Sequence, residues 1–178
     1  PNLTTSLDSG YEIHDLESTT QNSFALEASE WLVNPLDRSS PTSYSQCGTT
    51  YLLGGHLVAS NTAIFERTYS SLPSHSSLLL TVNFWFIDLW DSSDYIDLLI
   101  SDGRNSYFSG TILAVSQSQI NWQPSICGSS SPDLPSAYFS IFLAHSEPCV
   151  TLQFQNYITA SDNTRGSSGL RDVRISLL

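Results

Sequence analysis

Short β-strand patterns follow one another along almost the whole chain, with turn residues between them and almost no helical periodicity. The densest pattern, residues 78–87, carries aromatic and β-branched side chains and is typical of a central strand buried on most of both faces. Further apolar runs lie at residues 51–53, 57–65, 95–100, 107–115, 137–144, 150–158 and 170–177. This spacing predicts an all-β fold, an antiparallel, jelly-roll-like β-sandwich with an N-terminal extended strand arm.

The arm is predicted from the first residues, where apolar and polar side chains alternate. One face of this predicted strand carries Leu3, Thr5, Leu7, Tyr11 and Ile13, and the other face is polar or Gly. The two-layer core is predicted to begin near Trp31. We therefore divide the chain into an arm with a linker, residues 1–30, and a sandwich domain, residues 31–178.

An apolar strand face has to be buried, and this face could be buried in either of two places. Insertion into the sandwich of an identical subunit is a heterologous contact that does not close, so it propagates into a filament. The sequence predicts this non-catalytic structural role, with identical subunits as partners. The other possibility is an ordinary first strand of the chain's own sandwich.

The charge of the chain excludes two classes of partner. The net charge is −11 with a pI near 4.4, whereas nucleic acids and anionic membranes are bound through Lys and Arg. No apolar run is long enough to cross a membrane. Charged residues make up only 13% of the chain, and a surface rich in Ser and Thr indicates a secreted, extracellular protein. The sequon at Asn2 predicts an N-glycan there.

The three cysteines, Cys47, Cys127 and Cys149, have no zinc-site spacing. Cys47 and Cys127 each precede a glycine in a turn-rich stretch, which favours a disulfide between them. Cys149 begins a predicted strand, on the face opposite to the apolar residues of that strand. It is either a free thiol or bonded to another chain.

Signatures of enzymes are missing from the sequence. It has no G-x-S-x-G, no H-E-x-x-H and no phosphate-binding loop. Glu12 and Asp15 fall on opposite faces of the predicted strand, whereas glycoside hydrolysis needs two carboxylates facing one cleft. We therefore expect no catalysis.

Two groups of residues suggest a different, carbohydrate-binding function. Asp88, Asp91 and Asp94 cluster at a strand–turn–strand and could hold Ca²⁺, although solvated turn aspartates have the same pattern. Trp90 and Trp122 stand beside polar turns, where an indole ring can stack on a sugar. A lectin-like surface module that binds glycans, with or without Ca²⁺, is the alternative to the filament subunit.

Several segments in order resemble a β-sandwich domain of extracellular, cysteine-rich surface proteins of protists, chiefly ciliates. The resemblance covers about residues 31–178 and rests on these stretches: Cys47 with residues 53–55, residues 72–75, the run FWFIDLWD at 84–91, Ile126-Cys127-Gly128 with Asp133 and His145, and SGLRDV at 168–173. Ser168 stands where the family has a tryptophan.

This resemblance implies an extracellular, non-catalytic jelly roll in surface or filament proteins. It supports the pairing of Cys47 with Cys127 and brings no catalytic residues with it. The arm before Trp31 lies outside it.

Overall fold

In the residues that it describes, the computed structural model shows two antiparallel β-sheets packed face to face, with one short helix. It describes residues 2–6, 9–36, 40–88, 90, 92–114, 125–128, 136–159 and 166–178. Within these residues, no helix is long and apolar enough to span a membrane.

We call the larger sheet sheet A and the smaller one sheet B. Sheet A has seven strands: β1 (Asn2–Ser6), β2 (Ser9–Asp15), β4 (Tyr44–Cys47), β5 (Thr50–Gly54), β7 (Ser77–Ile87), β10 (Ala137–Ala144) and β12 (Ser167–Leu177). Sheet B has five strands, in the spatial order β3 (Leu32–Leu36), β6 (Ala59–Ser70), β11 (Cys149–Tyr157), β8 (Tyr95–Ser101) and β9 (Ser106–Ala114).

Strand β12 organises sheet A. One edge of β12 pairs with β7 along most of its length, and β10 pairs with the far edge of β7. The other edge of β12 is shared between β5, at Leu170, and β2, at Ile175. The sheet thus runs from the hairpin of β1 and β2 at one side to β10 at the other.

Strict alternation places the core between the sheets. Every second residue of β8 and of β11 is buried, and the residues between them are half-buried on the outer face of sheet B. The largest fully buried side chains include Trp90, Phe24, Phe65, Phe84 and Phe154. Rings from both sheets meet there, as Phe84 and Phe154 do at 5.3 Å between centroids.

The N-terminal segment differs from its prediction. Residues 2–6 and 9–15 form two paired antiparallel strands instead of one long strand, and β2 pairs with β12 of the same chain. Ile13 is only 5% exposed and belongs to the common core, together with Leu16. The prediction of a strand outside its own domain is therefore wrong for β2, because a strand with one apolar face satisfies that face equally well on its own sheet.

The predicted insertion residues are split between the two strands. Tyr11 and Ile13 lie in β2, with Tyr11 packed at the margin of the core. Leu3 and Thr5 lie in β1, and Leu7 lies outside the described residues. Asn2 begins β1, and its glycosylation stays a prediction.

Helix α1 (Gln21–Ser29) occupies what the sequence predicted to be a linker. Only Phe24 and Ala28 on it are buried, one helical turn apart. So short a helix with two buried positions gives little amphipathic signal, which is why the sequence did not predict it. Since Phe24 and Ala28 join the main core, that core does not begin at Trp31.

A buried carboxylate connects the N-terminal segment to sheet B. Asp15, at the end of β2, is 0% exposed, and its Oδ2 accepts hydrogen bonds from Trp31 Nε1 at 2.9 Å, Arg67 Nη1 at 2.5 Å and Tyr69 Oη at 2.7 Å. Burial and the neighbouring Asp15 carboxylate raise the pKa of Tyr69. Because a buried charge needs such partners, the network fixes β2 across the sandwich from β6.

Candidate functional site

A bulge in β12 opens the regular surface of sheet A. The ladder pairs Arg171 with Asn83 and Arg174 with Thr81, so β12 carries one more residue than β7 at this point. The extra residue allows Asp172 to adopt a positive φ of 51°. A bulge re-aims the side chains beside it, and here Asp172 and Arg174 line the same outer surface.

Arg171, the residue before Asp172, holds the bulge in place. Its guanidinium donates to Tyr51 O at 2.9 Å and to Glu17 O at 3.1 Å, and its Nε lies 3.3 Å from Asp172 Oδ1. Three separate segments of chain are thereby held around one arginine. The backbone conformation that presents Asp172 is fixed by these contacts.

Arg174 is oriented by carboxylates of the N-terminal segment. Its Nε donates to Glu17 Oε1 at 2.6 Å, and Glu17 also lies 3.2 Å from His14 Nδ1. This hydrogen bond to Glu17 raises the pKa of Arg174. Burial raises the pKa of Asp172, while the charge of Arg171 opposes the change.

These side chains border an open cavity of about 450 Å³ on the outer face of sheet A. We call it the sheet A cleft; its described lining consists of Thr81, Tyr138, Asp172 and Arg174. Tyr138, from β10, is 72% exposed, so its ring is available as a flat apolar surface. The opposite side of the cleft presents the carboxylate of Asp172 and the guanidinium of Arg174.

Next to Asp172 lies an amide, Asn83, with one unused hydrogen-bonding group. Asn83 is 5% exposed and is hydrogen-bonded to Asp172. Its Oδ1 is buried and has no hydrogen-bond partner among the described residues. Asn83 is not among the described residues that line the cleft, and its hydrogen bond helps to hold the Asp172 carboxylate in place.

A second, smaller cavity of about 190 Å³ lies on the outer face of sheet B. Its described lining includes Asp97, Gln153, Gln155 and Tyr157. The carboxylate of Asp97 already accepts from Thr111 Oγ1 at 2.6 Å, and the Tyr157 ring is stacked on Tyr95 at 4.5 Å. Its polar and aromatic groups are therefore partly occupied within the chain.

The predicted sugar-binding tryptophans do not form this site. Trp90 is 1% exposed, its Nε1 donates to Ser167 O at 2.9 Å, and its ring packs edge-on against Phe86. The prediction for Trp90 is therefore wrong, because the turn beside it folds the indole into the core. Trp122 lies outside the described residues.

The predicted calcium ligands point to different partners. Asp88 is 0% exposed, its Oδ2 lies 3.0 Å from His56 Nδ1, and a Cβ on Gly128 would come within 2.3 Å of the same oxygen. Asp94 Oδ1 instead accepts from the backbone N–H and the hydroxyl of Thr159. The described residues contain no group of three or more potential metal ligands. Asp91 lies outside them, and calcium binding stays a prediction.

The predicted disulfide between Cys47 and Cys127 is confirmed. It secures residues 125–128 over a small apolar cluster of Leu52, Trp85 and Ile87 on the outer face of sheet A. Cys149 is a free, half-buried thiol that faces the backbone oxygen of Asp102 at 3.8 Å.

Comparison with known proteins shows the fold. No protein-family model matches the chain, and no curated protein matches its sequence. The K2 cleaved adhesin domain of Lys-gingipain is 11% identical, with a TM-score of 0.50, and the match covers 94% of this chain and 98% of that one. The fold is a jelly roll.

Two further solved structures resemble the chain less well. One holds the CBM22-1 and GH10 modules of the endo-1,4-β-D-xylanase 10B of Clostridium thermocellum, at 10% identity and a TM-score of 0.48. That match covers 95% of this chain but only 29% of the other. The second is a CBM4 structure at 11% identity and a TM-score of 0.46, with 93% and 95% of the two chains covered. At these identities the likeness concerns the fold alone.

No direct signal for the sheet A cleft is present in the sequence. Its lining comes from β7, β10 and β12, which are far apart in the sequence and meet only through the order of the sheet. One local clue exists. In Leu170-Arg171-Asp172-Val173-Arg174 two polar residues separate the apolar ones, which breaks the alternation of β12 and marks the bulge.

Proposed function

We propose that this chain is a non-catalytic carbohydrate-binding module and that a neutral glycan occupies the sheet A cleft. The observation that carries the proposal is the 72% exposed ring of Tyr138, which lies across an open cavity of about 450 Å³ from Asp172 and Arg174. Since the structural comparisons concern only the fold, the proposal rests on this geometry.

The chemistry of the lining suits a sugar. The faces of pyranose rings carry C–H groups that pack on aromatic rings, and their edges carry hydroxyls that both donate and accept hydrogen bonds. Tyr138 supplies the ring, Asp172 supplies acceptors, and Arg174 supplies donors. The open form of the cavity suits a chain of sugars that passes over the sheet.

The same lining supports binding without hydrolysis. Glycoside hydrolysis needs a pair of carboxylates about 5–9.5 Å apart. Asp172 is the one carboxylate among the described residues that line the cleft, and it is engaged by Arg171 and Asn83. A bound glycan would therefore be held but left intact.

An extracellular location belongs to the same proposal. A disulfide joins Cys47 and Cys127, and such bonds persist in oxidising compartments. Glycans of cell surfaces and extracellular matrices are present in those compartments.

The test is binding to a panel of neutral polysaccharides, measured by glycan array and then by calorimetry on the best ligand. Asp172→Asn should weaken binding by about 10-fold or more, since hydrogen bonds to a charged group contribute about 1.5–3 kcal/mol. Asparagine also tolerates the positive φ at this position.

Asp97→Asn is the matched control, because it makes the same chemical change on the outer face of sheet B. It should leave binding unchanged. Loss of binding in Asp97→Asn with full binding in Asp172→Asn would place the site on the other sheet, and no binding to any polysaccharide would refute the proposed function.

A further inference from the structure

Within the part of the chain that the structure describes, strand β10 is an edge strand without the usual protection. It pairs with β7 on one side, and among the described residues no strand pairs with its other side. Its eight residues, AYFSIFLA, include no charge and no proline, and its ladder with β7 has no bulge. Exposed edges in monomeric proteins are normally blocked by such features.

The backbone groups that face outward on β10 can be assigned. His145 N–H donates to Ser76 O, which continues the register of β10 with β7 and marks the hydrogen-bonded pairs of that ladder. Hydrogen-bonded pairs alternate along an antiparallel ladder, so the odd-numbered residues of β10 bond to β7. Ser77 and Leu178 donate hydrogen bonds to each other, so the odd-numbered residues of β7 bond to β12. The even-numbered residues of β7 are then the ones that bond to β10, which agrees with this assignment.

The even-numbered residues of β10 therefore direct their N–H and C=O groups away from the sheet. Their side chains lie on the outer face, where Tyr138 is 72% exposed and Phe142 is 63% exposed. On the inner face Phe139, Ile141 and Leu143 pack against the core but are only partly buried. With respect to the described residues, the edge thus offers unpaired backbone together with apolar side chains on both faces.

We propose that β10 pairs with β10 of a second copy of this chain, antiparallel and about a two-fold axis at Ser140. The outward backbone groups belong to even-numbered residues, so the pairs across the axis must join even to even. With Ser140 opposite its own copy, Tyr138 faces Phe142 on the outer side, and Phe139 faces Ile141 on the inner side. Each contact occurs twice.

This register is what selects a second copy as the partner. The strand is self-complementary: its two exposed aromatic residues are equidistant from Ser140, so antiparallel pairing places an aromatic ring beside an aromatic ring. Cross-strand aromatic pairs are among the favourable ones in sheets. A strand with an unrelated sequence would meet these positions only by chance.

The interface is small and closed. At about 3.4 Å per residue the edge is roughly 27 Å long, and a strip of that length is below the standard interface of about 800 Å² per partner. A weak dimer is expected. An isologous contact of this kind ends at two copies, unlike the head-to-tail filament. The proposed dimer does not depend on the proposed glycan binding.

The first experiment is sedimentation of the whole chain over a range of concentrations. The wild type should show a monomer–dimer equilibrium, and Phe142→Asp should raise the dimer dissociation constant about 10-fold or more, because both aromatic pairs are lost and carboxylates are added near the axis. Leu26→Asp, at a residue 72% exposed on α1, is the matched control and should leave the constant unchanged. Phe142 is not among the described residues that line the cleft, so a change in dimerisation is separable from a change in glycan binding.

The second experiment tests the register by oxidative cross-linking in a Cys149→Ser background. Ser140→Cys should form a disulfide-linked dimer, since hydrogen-bonded partners in antiparallel sheets have Cα atoms about 5.5 Å apart, within the range of disulfides. Ala144→Cys, on the same edge, should not cross-link, because its two copies would lie roughly 27 Å apart. A monomeric wild type, growth beyond two copies, or equal cross-linking of both variants would overturn the proposal.

Discussion

Two histidines at one end of the sandwich lie within hydrogen-bonding distance of each other. His75 Nε2 lies 2.7 Å from His145 Nδ1, and His75 Nδ1 lies 2.6 Å from Pro73 O. The His145 ring, only 3% exposed, also packs edge-on against Tyr107. A hydrogen bond between two ring nitrogens requires that one of them be unprotonated, so full protonation of the pair breaks it.

Protonation of His145 should make stability depend on pH. Burial, followed by the charge of His75, lowers the pKa of His145 below its ordinary value of 6.5, while Asp102 and Glu147 oppose the change. Below about pH 6.5 the unfolded chain therefore binds more protons at this residue than the folded chain does. The free energy of unfolding should fall as the pH falls, with a slope of up to about 1.4 kcal/mol per pH unit until the lowered pKa of the folded state is reached.

Urea denaturation between about pH 8 and pH 5 measures this slope. His145→Gln should flatten this slope. The comparison variant is His14→Gln, which changes a histidine that contacts Glu17 instead. Of the two neighbouring carboxylates, Asp102 does not contribute, because backbone N–H groups of Asn105 and Arg104 keep its pKa far below this range. A slope that persists in His145→Gln would assign the proton uptake elsewhere.

Among the strands, the sequence predicted best where alternation was regular. The inner faces of β8 and β11 follow from parity alone, and the disulfide followed from two glycine-flanked cysteines. Alternation fails at β12, where the bulge at Asp172 shifts the parity and creates the cleft. It also cannot identify a partner: the same one-faced pattern in residues 3–13 describes an inserted strand and a strand of the chain's own sheet.

The two N-terminal strands should differ sharply in their importance. β1 pairs only with β2 at the margin of sheet A, whereas β2 brings Ile13, Asp15 and Leu16 into the core. Deletion of residues 1–8 should leave the melting temperature close to that of the full chain. Deletion of residues 1–16 should remove several kcal/mol of stability, since each fully buried aliphatic side chain contributes about 1.5–3 kcal/mol and Arg67 would lose its buried partner.

Thermal unfolding followed by circular dichroism measures both deletions. The difference between the two deletions also distinguishes an N-terminal segment that belongs to the core from one that lies outside it. If the chain without residues 1–16 melted at the temperature of the full chain, the role of β2 in the core would be contradicted.

At the scale of the whole molecule, the cleft and the β10 edge occupy one side of sheet A. Tyr138 belongs to both, since it lines the cleft and stands on the strand proposed to pair. A two-fold axis at Ser140 would bring two clefts onto one continuous outer face. A polysaccharide long enough to reach both clefts would then bind more tightly than a short oligosaccharide, by the effective concentration of the second site.

The net charge of −11 restricts which glycans can approach this face. The guanidinium nearest the cleft, Arg174, is already neutralised by Glu17, and Asp172 adds a negative charge to the lining. Polyanionic glycans should therefore be repelled, and neutral ones should bind through hydrogen bonds and ring packing with little dependence on salt. Calorimetry from roughly 0.01 M to 1 M salt, over which the screening length falls from about 30 Å to about 3 Å, should change the affinity for a neutral polysaccharide less than about threefold. A sulfated or uronic-acid polysaccharide of similar length is the paired ligand; if it binds at low salt and is released at high salt, the cleft recognises anions and the assignment of a neutral ligand is wrong.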